Sequence, residues 1–150
     1  METGQLEQVH TITAHYDGPV RGIANLSGRP HYYERQFDDE TDEWSEIYWL
    51  VPINEATFAL AMEAWAIWRR WETAFHQQQT TLETHPALPE DRARSNELAT
   101  ILAQRLVIDR RSALVAQGQF EWNTEPVAWQ LPRVRWRLQD HDERLPKRGT

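Results

Sequence analysis

The sequence predicts an α+β fold: a small antiparallel sheet of about five strands, with two helices packed on one of its faces. Apolar and polar residues alternate in several short stretches, which is typical of strands. Two longer stretches, about 55–78 and 89–108, repeat their apolar residues with helical periodicity. The chain has 150 residues, enough for one domain. We therefore expect a single domain over 1–150, with loose tails at about 1–9 and 139–150.

The first third of the chain has the pattern of a β-meander. A short strand is predicted over 10–16, where an Asp-Gly-Pro turn ends it. Two further strands, 20–26 and 30–37, flank the glycine-containing turn 27–29, a pattern typical of a hairpin. The aromatic and β-branched residues of 44–51 predict the next strand. Consecutive antiparallel strands joined by short turns are the simplest arrangement of these segments.

The last third predicts two more strands. Residues 112–122 alternate with period two, and Gly118 indicates a bulge or bend within them. A turn is predicted over 123–126, and the pattern of 127–131 fits no single element. Residues 133–138 alternate again, with apolar residues on one face and arginines on the other.

The two predicted helices carry recognisable start signals. Asn54 suits an N-cap position, and Ile53 and Phe58 have the spacing of a hydrophobic staple. The apolar arc of the helix 55–78 exceeds half of its surface, so we expect other elements to cover it on two sides. Pro89 suits the first turn of the second helix.

The net charge of −7 arises in the first third of the chain. Residues 1–54 hold ten acids and three arginines, whereas residues 55–150 hold thirteen acids and thirteen bases. We expect the predicted acidic loop and the tryptophan after it, with Tyr48 nearby, to bind a basic protein surface. This predicted partner-binding site consists of Asp38, Asp39, Glu40, Asp42, Glu43 and Trp44. The acidic charge opposes nucleic-acid binding, which depends on basic contacts to phosphates.

Two other interpretations of the acidic loop stay open. Runs of like charge are commonly solvated surface without a partner, and a weak cation site is the third possibility. The loop lacks the EF-hand pattern, because its sixth position is Glu43 instead of glycine and its twelfth is Trp49 instead of glutamate.

A second candidate site is centred on Glu72, which helical periodicity places within the apolar arc of the first helix. Three tryptophans at helical spacing fill the core or line a pocket beside it: Trp65, Trp68 and Trp71. A desolvated carboxylate can act as a general acid or base, and His31 or Tyr33 from the predicted sheet would assist it. A structural ion pair with Arg69, three residues earlier, or simple exposure of Glu72 to solvent is the alternative.

Three arginines share one face of the last predicted strand: Arg133, Arg135 and Arg137. Their side chains stand about 7 Å apart if the strand is regular. Guanidinium groups at this spacing can bind phosphates or carboxylates. They can equally neutralise the acidic loop within the same molecule.

Several functional classes lack their signatures here. The absence of cysteine excludes disulfides and thiolate chemistry. The sequence contains no glycine-rich phosphate loop, HExxH motif or GxSxG motif. Its six histidines lack paired helical spacing, so we expect no metal and no cofactor. No apolar run reaches the ~18 residues of a membrane span and no signal-peptide pattern is present, so we expect a cytoplasmic protein without a membrane partner.

These observations predict a small soluble bacterial-type protein-interaction module, an adaptor or an inhibitor, and lean against an enzyme. The alternative is a small-molecule-binding protein or enzyme with a Trp-lined pocket and a buried carboxylate. A deep pocket with Glu72 at its base would favour the alternative, whereas a filled core with an acidic edge would favour the interaction module.

Overall fold

In a computed structural model, which describes residues 4–122 and 131–139, the chain forms two compact units. One unit consists of Met1–Pro52 together with Ile108–Thr150, and the other is the intervening segment Ile53–Val107. The strands of the described residues belong to the first unit and the helices to the second.

The first unit is a closed barrel of six antiparallel strands. In chain order these are β1 (Leu6–His15), β2 (Pro19–Leu26), β3 (Arg29–Asp38), β4 (Glu43–Pro52), β5 (Leu114–Glu121) and β6 (Arg133–Leu138). Each strand pairs with the next, and β6 returns to β1, where Leu6 lies opposite Arg135 and Gln8 opposite Arg133. Closure therefore gives every strand a partner on both sides.

The predicted open sheet of about five strands, with two helices on one face, is wrong. The described residues form six strands in a closed ring, and the two helices form a compact unit of their own. The first strand begins at Leu6 instead of residue 10, and its early residues make the pairing that closes the ring. Side chains alternate between two faces in open sheets and in barrels alike, so the sequence pattern does not separate the two architectures.

Irregular pairing in β1 accompanies the closure. Its register with β2 shifts three times between Val9 and His15. Bulges of this kind bend a strand and increase its twist, which is how a short sheet curves enough to meet its own edge.

The barrel interior is filled by side chains. Its centre is a group of four aromatic rings whose centroids lie 5.4 to 6.0 Å apart: Tyr33, Tyr48, Phe120 and Trp136. Smaller buried residues surround the rings, namely Val9, Ala24, Leu26, Leu50, Ala116 and Val134. A barrel of this size has room only for its own side chains, so the interior is a core.

The polar atoms of the central rings donate hydrogen bonds to backbone carbonyls. The acceptors are the oxygens of Thr11 for Tyr33 (3.1 Å), Pro19 for Tyr48 (2.6 Å) and Asn25 for Trp136 (3.0 Å). Burial raises the pKa of Tyr48 to about 12 and that of Tyr33 well above its ordinary value. Both phenols therefore keep the proton that these bonds require.

Two glycines make room for this core. A Cβ at Gly22 would lie 2.2 Å from the carbonyl oxygen of Thr11. At Gly118 it would lie 2.7 Å from Cζ3 of Trp136 and 2.9 Å from Cε1 of Tyr48. Gly118 pairs in regular register with β6, so it accommodates the rings and does not mark the predicted bulge.

The second unit contains helices α1 (Glu55–His76) and α2 (Arg92–Arg105), with short 3-10 turns at Leu82–Thr84 and Pro89–Asp91. Asn54 is the N-cap of α1, as predicted: its Oδ1 accepts the Thr57 N–H at 2.8 Å. One core cluster of the unit consists of Ile67, Ala87 and Leu98, with Leu60, Ala64 and Leu102 packed against them.

Two ion pairs connect α1 to the second half of this unit. Nε and Nη2 of Arg94 donate to the two carboxylate oxygens of Glu63 at 2.6 and 2.7 Å. Arg70 binds both oxygens of Asp91 at 3.0 and 3.1 Å. Each pair is bidentate, the geometry in which a guanidinium orients a carboxylate best.

Some predicted segments lie outside the described residues: the turn 123–126, most of 127–131, and the tail beyond residue 139. None of the helices in the part of the chain that the structure describes is both long and apolar enough to span a membrane.

Candidate functional site

The acidic run lies at one end of the barrel, in the connection between β3 and β4. Asp38 ends β3 and Glu43 begins β4, and the two are opposite each other in the ladder. Antiparallel order brings the β1–β2 turn, the end of β5 and the start of β6 to this same end. All the acids of the run are exposed. We call residues 37–44 the acidic hairpin.

The backbone of the acidic hairpin is held by one of its own carboxylates. Oδ1 of Asp38 accepts the N–H of Glu40 at 2.9 Å and that of Thr41 at 3.4 Å. Asp42 adopts a left-handed conformation with φ 59°, which Asp tolerates better than most residues. Within the described residues, no acid of the run forms an ion pair. The turn is therefore ordered while its negative charge faces solvent.

An aromatic pair stands at the base of these acids. Phe37 and Trp44 are opposite each other in the ladder, and their rings meet edge-to-face at a centroid distance of 5.1 Å. Phe37 is 41% exposed and Trp44 is half-buried. The sequence predicted a role for Trp44 and missed Phe37. Its placement of Tyr48 on the same surface is wrong, because Tyr48 is buried in the barrel core. The position of Phe37 could have been predicted from the hairpin register, because residues 37 and 44 flank the loop symmetrically.

Arg35 fixes the acidic hairpin to the neighbouring turn. Its Nε donates to the carbonyl of Ser45 at 2.6 Å, and its Nη1 donates to the carbonyls of Tyr16 and Asp17 at 3.2 and 3.1 Å. The guanidinium thus bridges the β3–β4 hairpin and the β1–β2 turn. Sequence reasoning gave Arg35 no role, since the two segments are brought together only by the barrel.

Two more exposed aromatic residues lie at this end of the barrel. Tyr16 is 67% exposed in the β1–β2 turn, and Trp122 is 48% exposed after β5. The Trp122 ring contacts the His15 ring edge-on at 6.1 Å. Exposed aromatic residues are enriched at protein interfaces, and here they accompany the acidic hairpin.

The residues predicted for the second candidate site belong to different units. Glu72 lies in α1, is 8% exposed, and is 3.8 Å from Nε of Arg69 and 4.0 Å from Nε2 of His76. His31 and Tyr33 belong to β3 of the barrel. The Tyr33 hydroxyl is committed to a backbone carbonyl inside the barrel core. The predicted ion pair of Glu72 with Arg69 is present, and a ligand-binding role for Glu72 stays a prediction.

The tryptophans of α1 differ in their surroundings. Trp71 is buried, donates from Nε1 to Oγ1 of Thr84 at 2.8 Å and stacks on Phe75 at 5.1 Å. Trp65 and Trp68 are half-buried, with ring centroids 5.0 Å apart. Trp71 is thus a core residue of the helical unit.

The three arginines of β6 point away from the barrel core, alternating with the inward residues Val134 and Trp136. Arg135 forms an ion pair with Glu121 of β5 at 3.0 Å. Among the described residues, none of the three pairs with the acidic hairpin. The suggested neutralisation of the loop within one molecule is therefore not seen in this part of the chain.

Across residues 4–122 and 131–139, no group of three or more His, Asp or Glu side chains is placed to hold a metal ion. Comparisons of the chain with protein-family models, with curated proteins and with solved structures found no match.

Proposed function

We propose that this protein is an interaction module, an adaptor or an inhibitor, which binds a basic protein surface through the acidic hairpin. The observation that carries the proposal is the combination of ordered, exposed carboxylates with an aromatic pair, exposed at Phe37 and half-buried at Trp44, on one hairpin. Asp38 and Arg35 hold the backbone in place before a partner arrives, so binding loses little conformational freedom.

The two components of the hairpin have different physical roles. Carboxylates in the loop attract a basic partner over roughly a Debye length, about 8 Å at physiological salt, and increase the association rate. The Phe37 and Trp44 rings provide apolar contact area, and aromatic faces also attract guanidinium groups. The charge would increase the association rate of the partner, and contacts with the rings would slow its dissociation.

A neutral-hairpin variant tests the proposal: Asp39→Asn, Glu40→Gln and Asp42→Asn. Asp38 is kept because its carboxylate orders the turn. The matched control removes the same number of negative charges, three, from exposed acids of the helical unit: Glu55→Gln, Glu83→Gln and Glu90→Gln. Immobilised wild type, variant and control would each be used to capture proteins from the native host at low and high salt.

We expect wild type and control to retain the same protein, bound through a basic surface, and the neutral-hairpin variant to lose it. With that protein purified, the variant should associate more slowly and with a weaker salt dependence, while dissociation changes less. Phe37→Ala should instead accelerate dissociation. Equal capture and equal association rates for wild type and the neutral-hairpin variant would refute the proposal.

A further inference from the structure

The outer face of β6 carries a strip of positive charge. Arg133, Arg135 and Arg137 alternate with inward residues and therefore project on the same side, about 7 Å apart. Arg133 and Arg137 are exposed and Arg135 is half-buried. We call these three residues the arginine strip.

The strip is only partly neutralised by its surroundings. Glu121 of β5 pairs with Arg135, whereas Arg133 and Arg137 have no carboxylate within ion-pair distance among the residues that the structure describes. In the barrel ladder, Gln117 lies opposite Arg137 and Gln119 opposite Arg135, whereas Arg133 lies between Gln8 of β1 and Glu121 of β5, the carboxylate that Arg135 binds. Within residues 4–122 and 131–139, the guanidinium groups of Arg133 and Arg137 are therefore not committed to an ion pair.

The acidic hairpin has the complementary charge. The carboxylates of Asp39, Glu40 and Asp42 extend from its turn, and none of them is in an ion pair within the described residues. The hairpin lies at one end of the barrel, the end at which β6 also begins, whereas the strip runs from Arg133 along the outer face of β6. A single chain therefore presents two surfaces of opposite sign that do not meet within the described part of the molecule.

We propose that the arginine strip binds the acidic hairpin of a second copy of this chain. The inference rests on the proposed function, because it names the basic surface that the hairpin recognises. Carboxylates of the hairpin would pair with Arg133 and Arg137, since guanidinium groups bind carboxylates with two parallel hydrogen bonds. The Phe37 and Trp44 rings beside them offer a face for guanidinium stacking.

Charge on the whole molecule selects this occupant over a nucleic acid. The net charge of −7 repels a polyphosphate over distances at which the strip alone would attract it. The same net charge weakens attraction between copies, so the association is weak and requires both surfaces.

Each copy has one hairpin and one strip, and the contact is heterologous because two different surfaces meet. Copies therefore form open chains unless a rotation closes them into a ring.

Two variants of the full chain separate the surfaces. The neutral-hairpin variant keeps the strip, and Arg133→Gln with Arg137→Gln keeps the hairpin while leaving the Arg135–Glu121 pair intact. The control for the strip is Arg29→Gln with Arg105→Gln, two exposed arginines elsewhere in the chain. Sedimentation equilibrium at low salt, from micromolar to several hundred micromolar protein, measures the association.

We expect the average mass of wild type to rise with concentration above the 17.7 kDa of a monomer and to fall when salt is added. Each variant alone should remain monomeric, and an equimolar mixture of the two should form a complex of twice the monomer mass. Both control variants should associate as wild type does. Circular dichroism of each variant confirms that it is folded.

A wild type that stays monomeric throughout, or a mixture that forms no complex, overturns the inference. Binding of a single-stranded oligonucleotide probe to the strip of a monomeric wild type would also overturn it and assign the strip to phosphates. These failures are distinct from failure of the proposed function, because capture of another basic protein through the hairpin does not require self-association.

Discussion

At the scale of single residues, the barrel core leaves no space for one additional carbon atom at Gly118. The atoms nearest to a methyl group added there belong to the rings of Trp136 and Tyr48, both of which are buried. Neither ring can rotate away easily, because each is anchored by a hydrogen bond to a backbone carbonyl. At Gly118, packing is therefore limited by the rings and not by the backbone.

We expect Gly118→Ala to lower the free energy of unfolding by about 1–3 kcal/mol, the usual cost of overpacking a filled core. Chemical denaturation monitored by tryptophan fluorescence measures the change. In a Trp136→Phe background, which removes the closest atom, the same substitution should cost clearly less. An equal cost in both backgrounds would contradict the steric explanation.

Residue patterns predicted part of the candidate site. The acids and Trp44 were identified because a charge run beside a tryptophan is visible in the sequence. Phe37 and Arg35 were missed, since their roles depend on ladder register and on the proximity of the β1–β2 turn. Tyr33 was predicted as a pocket residue and is a core residue. The alternation of apolar and polar residues shows on which face of the strand a side chain lies. It does not show whether that face lines a pocket or a packed core.

At the scale of elements, local signals predicted the helices and most strands well. Asn54 caps α1 as expected, and α1 ends at His76, shortly before Gln78 adopts a left-handed φ of 62°. The start of β1 was missed because Glu7 and Gln8 are polar. Both carboxylate oxygens of Glu7 accept backbone N–H groups of the β2–β3 turn, at 2.6 and 2.8 Å. Such long-range pairing, like barrel closure itself, has no local sequence signature.

The helical unit provides a prediction about pH. Hydrogen bonds from Arg94 hold the pKa of Glu63 below its ordinary value. A carboxyl with a lowered folded-state pKa stabilises the fold above its unfolded-state pKa of about 4.3, and this contribution is lost as pH falls through the folded-state pKa. Glu63→Gln should therefore lower the melting temperature at neutral pH, and the difference from wild type should disappear in acid.

Thermal unfolding followed by the helical circular-dichroism signal measures this effect. Glu83→Gln is the matched control, because Glu83 is exposed and in no ion pair within the described residues. Its melting temperature should follow that of wild type at every pH. A difference between Glu63→Gln and wild type that persists below the carboxyl range would mean that the side chain acts by packing and not by charge.

At the scale of the whole molecule, the excess of negative charge is concentrated in one part of the chain instead of being spread evenly. The acidic hairpin concentrates like charges at one end of the barrel, and such charges repel one another at low salt. The fold tolerates this because the turn is ordered by hydrogen bonds from backbone N–H groups to the Asp38 carboxylate and, in the described part of the chain, not by ion pairs. Among the residues that the structure describes, no ion pair of these acids stabilises the fold.

The neutral-hairpin variant should therefore be as stable as wild type within about 0.5 kcal/mol, or slightly more stable. Adding salt should stabilise wild type more than the variant, since screening relieves repulsion that the variant no longer has. Urea denaturation at low and high salt makes the comparison. A large loss of stability in the variant would show that the acids pair within the fold and would leave the binding proposal without its main support.

The closure of the barrel has a consequence for the order of events during synthesis. β1 completes its pairing only with β6, and the Nη1 of Arg135 reaches the carbonyl of Gly4 across 131 positions of sequence. The contacts of the helical unit span far fewer residues, such as the 31 between Glu63 and Arg94. On a ribosome, which adds about 5–20 residues per second, the helices have their partners before the ring has its last strand. Until β6 emerges, β1 and β5 present unpaired edges to other nascent chains, and a product truncated before residue 133 would keep those edges permanently.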